Sequence, residues 1–427
     1  MRRAALAALI AFATGCGGER EAAAPADAAD GLARAPAAPG VDPAERERLG
    51  ALGYVDVGEP LAPEAATGLI SLDVERAAPG TTLLVHVHVC RAELIDLYGS
   101  VLRSWTARPC GQWGHAVLAP DGDLIAVGRD PHRADADAKR EARYLLRLGW
   151  SGERRWRRDL PAHHDVEVAP DDRIFSLTYE HRAIPEVHPE IATRDHAIVE
   201  LSPQGELLDE VSIYELAAAA PEVLPLHAVA PRLDEDTLEI DLLHANSVEW
   251  LRHPVRLDDG PPLAGPLLLV GLRSQDSAVL VDWAAKRLVW SWGKGEVSAP
   301  HDATWLPSGN LLFFDNGHGR DWSRVVEVDP RRREIVWEYR ASEPESFFTL
   351  TRGGSQRLSN GNTLITESGK GRVIEVTADG EIVWEYRTPL LTSKREPGVI
   401  VRARRFESLS TDALGRLAAE GLLPWVD

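Results

Sequence analysis

Three tryptophans, Trp290, Trp337 and Trp384, stand 47 residues apart each time, and each closes a copy of the same pattern. Ala278-Val279-Leu280-Val281-Asp282 leads to Leu288-Val289-Trp290, Val325-Val326-Glu327-Val328-Asp329 to Ile335-Val336-Trp337, and Val373-Ile374-Glu375-Val376 to Ile382-Val383-Trp384. Each copy is a strand, a turn such as Asp379-Gly380 and a second strand, which reads as a hairpin. A second hairpin accompanies it, as in His301 to Phe314 across Pro307-Ser308-Gly309, Leu358 to Ile365 across Asn360-Gly361, Ala119 to Ile125 and His164 to Phe175. Two hairpins per period make a four-stranded unit. Weaker copies close at Trp105, Trp156 and Val211, so six copies run from Leu69 to about Phe406. A constant blade-sized period predicts an all-β chain folded as a six-bladed β-propeller, in which radial packing protects the strand edges. A pair of β-sandwiches has no reason to repeat one unit at constant spacing. The fourth copy is stretched, with 79 residues between Val211 and Trp290, through insertions near Pro221 to Pro231 and Leu251 to Gly265. Insertions of this kind often build the mouth of a site.

Outside the repeats the chain is simpler. Arg2 and Arg3 precede an uncharged apolar run ending at Gly15, the form of a secretory signal, and Ala13-Thr14-Gly15-Cys16 resembles a bacterial lipobox. Residues 1–16 are therefore expected to be a lipoprotein-type signal, with Cys16 carrying a membrane anchor on an exported periplasmic or cell-envelope protein. Simple cleavage with loss of Cys16 is the alternative. Residues 17–62, rich in Ala, Pro, Glu and Asp, read as a flexible linker, 63–406 as the propeller, and 407–427 as a tail with a short surface helix from Ser408 to Leu423. Export leaves Cys90 and Cys110 in an oxidising compartment, where pairing depends on geometry. The formal net charge of -19 disfavours nucleic acid as a partner. An anionic small substrate would need a local positive pocket.

In a propeller the innermost strands face a central channel, so equivalent positions of different repeats converge. Aligning the turns Asp172 and Gly309 places His164-Asp165 level with His301-Asp302. His244 stands just before the corresponding region of the stretched copy, His115 is one residue out of register, and the last copy has Gly353 there. A lone histidine such as His115 reads as a structural residue. Recurrence of a titratable ring at positions that folding fills with apolar residues or glycine reads as function. Three imidazoles could also hold zinc or iron, but Arg273 pointing into the same channel would repel a metal.

The run His244-Ala245-Asn246-Ser247, then Leu269 to Gln275 with Arg273, then His301-Asp302-Ala303 with Leu306 to Asn310 and Phe314-Asp315-Asn316-Gly317, closely resembles the bacterial aryl sulfotransferases that work without phosphoadenosine phosphosulfate. The resemblance runs from about Leu94 to Phe406. It implies a six-bladed propeller with a transiently sulfurylated histidine, here His301, flanked by His164, His244, Asn246 and Arg273. It also implies an aryl sulfate donor, a phenolic acceptor and no cofactor. Substrate range and oligomeric state, a homodimer included, are left open by the lipobox-like Cys16 and the shortened blade connections.

The chemistry fits these residue types. Sulfuryl transfer should pass through a loose transition state with charge on the equatorial oxygens and the departing oxygen. His301 would be the nucleophile, Arg273 a planar fork for two sulfuryl oxygens, Asn246 a neutral donor or ring-orienting group, and His164 or His244 the proton carrier. Two rival readings are a non-catalytic cell-surface propeller binding a sulfated or other anionic ligand, in which His301 is replaceable, and a metal-dependent hydrolase. No Gly-rich phosphate loop with its lysine is present.

Overall fold

The computed structural model describes residues 61–62, 65–130, 142–234, 237–391, 397–409 and 411–420. The expected signal, Cys16 and most of the expected linker lie outside them. Runs rich in Val, Ile and Leu form short strands, and glycines at positive φ, such as Gly309 at 90° and Gly361 at 89°, turn the hairpins. Asp172 takes the same left-handed conformation, at φ 64°, in the third repeat.

Among the described residues six antiparallel blade sheets result, one per repeat, five of them four-stranded and the last five-stranded. Their innermost strands are Ile400–Phe406, Gln112–Leu118, His163–Val168, Ala245–Trp250, His301–Trp305 and Gly354–Arg357. The six-bladed propeller expected from the repeat is the fold. The ring closes twice: Ile400–Phe406 completes the first blade beside Thr81–His86, and Gly68–Leu72 adds a fifth strand outside Ile382–Arg387 of the last.

Facing blades bury apolar side chains between them, as where Phe175, Leu177 and Ile198 of the third blade meet Leu268 and Val270 of the fourth. Each such side chain contributes about 1.5–3 kcal/mol on burial. Tryptophans on the outermost strands latch five of the six blades to the next. Trp105 Nε1 donates to the Gly149 carbonyl at 3.1 Å, Trp156 to Pro203 at 3.0 Å, Trp337 to Ala378 at 2.8 Å and Trp384 to Leu97 at 2.8 Å. Each acceptor is in the outer hairpin of the following blade. The fourth blade uses Trp292, two residues beyond the repeat position, bonded to Arg333 at 3.3 Å.

Cys90 and Cys110 form a disulfide that ties the first blade to the start of the second. With 20 residues of separation, replacing both by alanine should lower unfolding stability by roughly 2–4 kcal/mol in a denaturant titration. The C-terminal helix spans Thr411–Ala419, within the 408–423 expected, of which 410 and 421–423 lie outside the described residues. It is also anchored, with Ala413 and Leu417 buried in the cluster that holds Trp105 and Trp150. Among the described residues no helix is long and apolar enough to cross a membrane.

The two insertions go to opposite mouths of the channel. Residues 213–244 lead into the start of the inner strand Ala245–Trp250 and carry the helix Ile213–Ala218 and the hairpin Arg232–Asp234/Thr237–Glu239. Leu251 to Gly265 leaves that strand's far end, where Arg252 and His253 line a cavity.

Candidate functional site

The inner strands of the second to fifth blades each carry an irregularity near the same end: between Trp113 and His115, opposite Ser176 and Leu177, between Ala245 and Ser247, and between His301 and Thr304. A bulge re-aims side chains and ends regular pairing. Several residues there adopt left-handed backbone, among them His164 (φ 58°), His244 (φ 45°), Asp302 (φ 51°) and Arg352 (φ 60°). Such conformations cost about 1–3 kcal/mol each and gather at functional sites.

His301 is 7% exposed, at the start of its strand. Its Nδ1 lies 2.7 Å from Asn316 Oδ1 and 3.1 Å from the Ala299 carbonyl. The Asn316 amide nitrogen donates to the carbonyls of Thr349 (2.8 Å) and Arg352 (2.7 Å), so its oxygen must face His301. Two acceptors at Nδ1 place the ring proton there, leaving a lone pair at Nε2. The backbone N–H of Arg352 approaches that lone pair at 3.3 Å. Burial, followed by the field of Arg273, lowers the His301 pKa to about 3.

His244 lies beside it. Its Nδ1 donates to Asp241 Oδ2 at 2.6 Å, and its pKa falls to about 4 through burial, with Asp241 opposing the fall and Arg273 adding to it. The rings of His164 and His244 sit 4.9 Å apart between centroids, and His164, lowered well below the ordinary value by burial, also feels His163, His244 and His301. Arg273 begins a short 3-10 turn, its backbone N–H bonded to the His244 carbonyl at 3.1 Å. Asn246 spends its amide nitrogen on the Pro300 carbonyl at 2.8 Å, steadying the backbone just before His301. Its oxygen faces Gly271, where an added Cβ would come within 2.8 Å.

The structure thus brings His164, His244, Arg273 and His301 together, with Asn246 as a brace. The alignment of His164 with His301 needs refinement. By strand pairing His163 opposes Leu177 as His301 opposes Phe314, because the third blade's bulge holds one more residue. His164 is the bulged residue turned to the cluster. Asp241, Asn316 and Arg352, and the His163–His196 pair behind the cluster, were not singled out as site residues. Asp241 has no repeat counterpart. Asn316 stood inside the Phe314 to Gly317 motif, and that was its signal.

One layer further along the axis, Arg402 bridges Asp165 (3.2 Å) and Asp302 (3.1 Å), with His115 Nε2 at 3.4 Å. His115 belongs to this floor. Beyond it a cavity of about 440 Å³ includes Glu167, Glu249, Arg404 and Trp305 in its lining but not His164, His244, His301 or Arg273. Burial raises the Glu249 pKa to about 8. Among the described residues no group of three or more His, Cys, Asp or Glu is arranged to hold a metal.

Fold and site together define a propeller with a buried cluster of histidines and an arginine near its axis. The family model described as arylsulfotransferase (ASST) matches residues 144–389, more than half of the chain. The chain belongs to the arylsulfotransferase family, whose chemistry is sulfuryl transfer. No curated protein matches it. Among solved structures it is similar to a Bacteroides caccae protein of unknown function (13% identity, 76% of this chain and 98% of the other, TM-score 0.47). It is also similar to a virginiamycin B lyase from Staphylococcus aureus (11% identity, 77% and 90%, TM-score 0.41).

Proposed function

We propose that the chain is an aryl sulfotransferase that needs no phosphoadenosine phosphosulfate and moves a sulfuryl group from an aryl sulfate to a phenol through a sulfurylated His301. The supporting observation is the Asn316 amide, which keeps the His301 proton on Nδ1 and a lone pair on Nε2 beside Arg273. In the first half-reaction Nε2 bonds to sulfur as the S–O bond breaks, and the phenoxide leaves with that electron pair and takes its proton from solvent. The ring then carries sulfuryl at Nε2 and a proton at Nδ1, and its positive charge is shared with Asn316 Oδ1 and the Ala299 carbonyl. That makes neutral imidazole a good leaving group in the return step. Arg273 would bind two sulfuryl oxygens as they gain charge.

Mass spectrometry after brief exposure to p-nitrophenyl sulfate, with no nucleotide, should find one sulfuryl group on His301. Turnover without any adduct would refute this route, and ligand binding unaffected by His301→Ala would favour a purely binding propeller. The depressed pKa values of His301 and His244, about 3 and 4, keep both imidazoles neutral well below pH 6.5. The kcat/KM for the donor is therefore expected to stay flat from pH 8 to about pH 5 and fall only below that. An acid limb centred near pH 6.5 would contradict the assignment. Export with a lipid anchor on Cys16 completes the proposal, supported by the signal-like N-terminus and by the Cys90–Cys110 disulfide, which suits an oxidising compartment. Metabolic labelling with a fatty acid, lost in Cys16→Ser, tests it.

A further inference from the structure

Asp241 sits at the end of the insertion between the third and fourth blades, with both carboxylate oxygens engaged. Oδ2 accepts from His244 Nδ1 (2.6 Å) and Arg232 (2.8 Å), and Oδ1 accepts from His196 Nε2 (2.8 Å). With its Nε2 proton donated there, His196 Nδ1 accepts from His163 Nε2 at 2.8 Å. His163 is stacked on Tyr179, 5.1 Å between centroids, and the Tyr179 hydroxyl accepts from Arg143 Nε at 3.1 Å. With every donor in this branch pointing toward Asp241, the tautomers of His196 and His163 are set by their partners. Arg232 has a second carboxylate partner, Glu239 at 2.9 Å, so Asp241 is not merely the counter-ion of one buried arginine.

We infer that Asp241 is the positioning residue that makes His244, rather than His164, the proton acceptor for the incoming phenol, with the His196–His163 pair holding the carboxylate in place. This rests on the sulfo-His301 reading. The Asp241 bond fixes the His244 proton on Nδ1 and leaves Nε2 unprotonated. As the phenol oxygen bonds to sulfur, its proton passes to His244 Nε2. The S–N bond to His301 breaks, and its electron pair returns to His301 Nε2. His244, briefly an imidazolium facing a carboxylate, releases the proton to solvent and is neutral again before the next donor binds. Asp241 does not take the proton itself. Burial alone pushes its pKa up, but His244, Arg232 and His196 hold it well below the usual carboxylate value. The largest electrostatic influences on His164, from His163, His244, His301 and Arg143, all disfavour a positive charge.

The two half-reactions separate this role from a structural one. p-Nitrophenolate is a good leaving group, so Asp241→Asn should sulfurylate within about threefold of the wild-type rate, whereas transfer from sulfo-His301 to phenol should fall about 10²–10⁴-fold. That loss should shrink below about tenfold with acceptor phenols as acidic as nitrophenol, since they need little help from a base. Asp241→Glu should recover part of the rate. An equal loss for all acceptors, or a burst slowed as much as the transfer, would overturn the inference. Should Asp241→Asn fail to fold, ¹⁵N-histidine spectra of the wild-type protein decide. His244 should carry its proton on Nδ1 near pH 7, and an Nε2–H tautomer would overturn the inference. Absence of any sulfo-histidine in the wild type would instead sink the reaction proposal, leaving the tautomer result as a separate outcome.

Discussion

His301→Ala should form no sulfo-enzyme and lose at least about 10⁴-fold in transfer, because a nucleophile cannot be replaced by its neighbours. The effect should be chemical and not structural. His301 begins its strand, pairs with Phe314 through the backbone and needs no side chain for that. The variant also makes a stability statement whose sign is definite. The imidazole has a folded-state pKa of about 3 against 6.5 for the ordinary side chain. The wild type therefore gains nothing from it above pH 6.5 and is destabilised by it as the pH falls from there toward 3. The Ala variant escapes that term, which amounts to at most about 1.4 kcal/mol per pH unit. Urea titrations at pH 7 and pH 4.5 should show a smaller drop for the variant. Retained sulfuryl transfer by a folded His301→Ala protein would remove the proposed mechanism.

Arg273→Lys should reduce kcat/KM about 10²–10³-fold, the loss expected when a fixed donor to developing charge is removed. Lysine keeps the positive charge but supplies a flexible point donor where two parallel N–H groups are required. The acid limb of the pH profile should therefore stay low, because a cation still disfavours protonation of His301, while the rate falls. Steady-state kinetics across pH reads both. Full activity in the lysine variant would mean that Arg273 acts through charge alone.

The propeller was readable because the tryptophan repeat has a mechanical cause. An indole N–H that must reach the next blade's outer hairpin keeps its place in four copies, Trp105, Trp156, Trp337 and Trp384, and the strand pattern carries the count of six through the third, closing at Val211, and the fourth, where Trp292 makes the bond. His244, Arg273 and His301 were visible through ordered motifs. The His163/His164 distinction was not, because a bulge changes which residue pairs without changing the spacing from the turn. Asp241 lies in an insertion with no repeat to compare against. The role of Asn316 depends on carbonyls 33 and 36 residues further along the chain, a relation that pattern alone does not carry.

Ring closure has a consequence for when the site can exist at all. Arg402, the cation between Asp165 and Asp302, comes from the strand that shuts the ring. A chain halted at residue 399 would keep all its candidate imidazoles but leave two carboxylates without that cation, one of them adjacent to His301. The last turn of assembly therefore completes the charge balance of the layer that carries Asp165, Asp302 and His115, and activity should emerge only in molecules whose two ends have met.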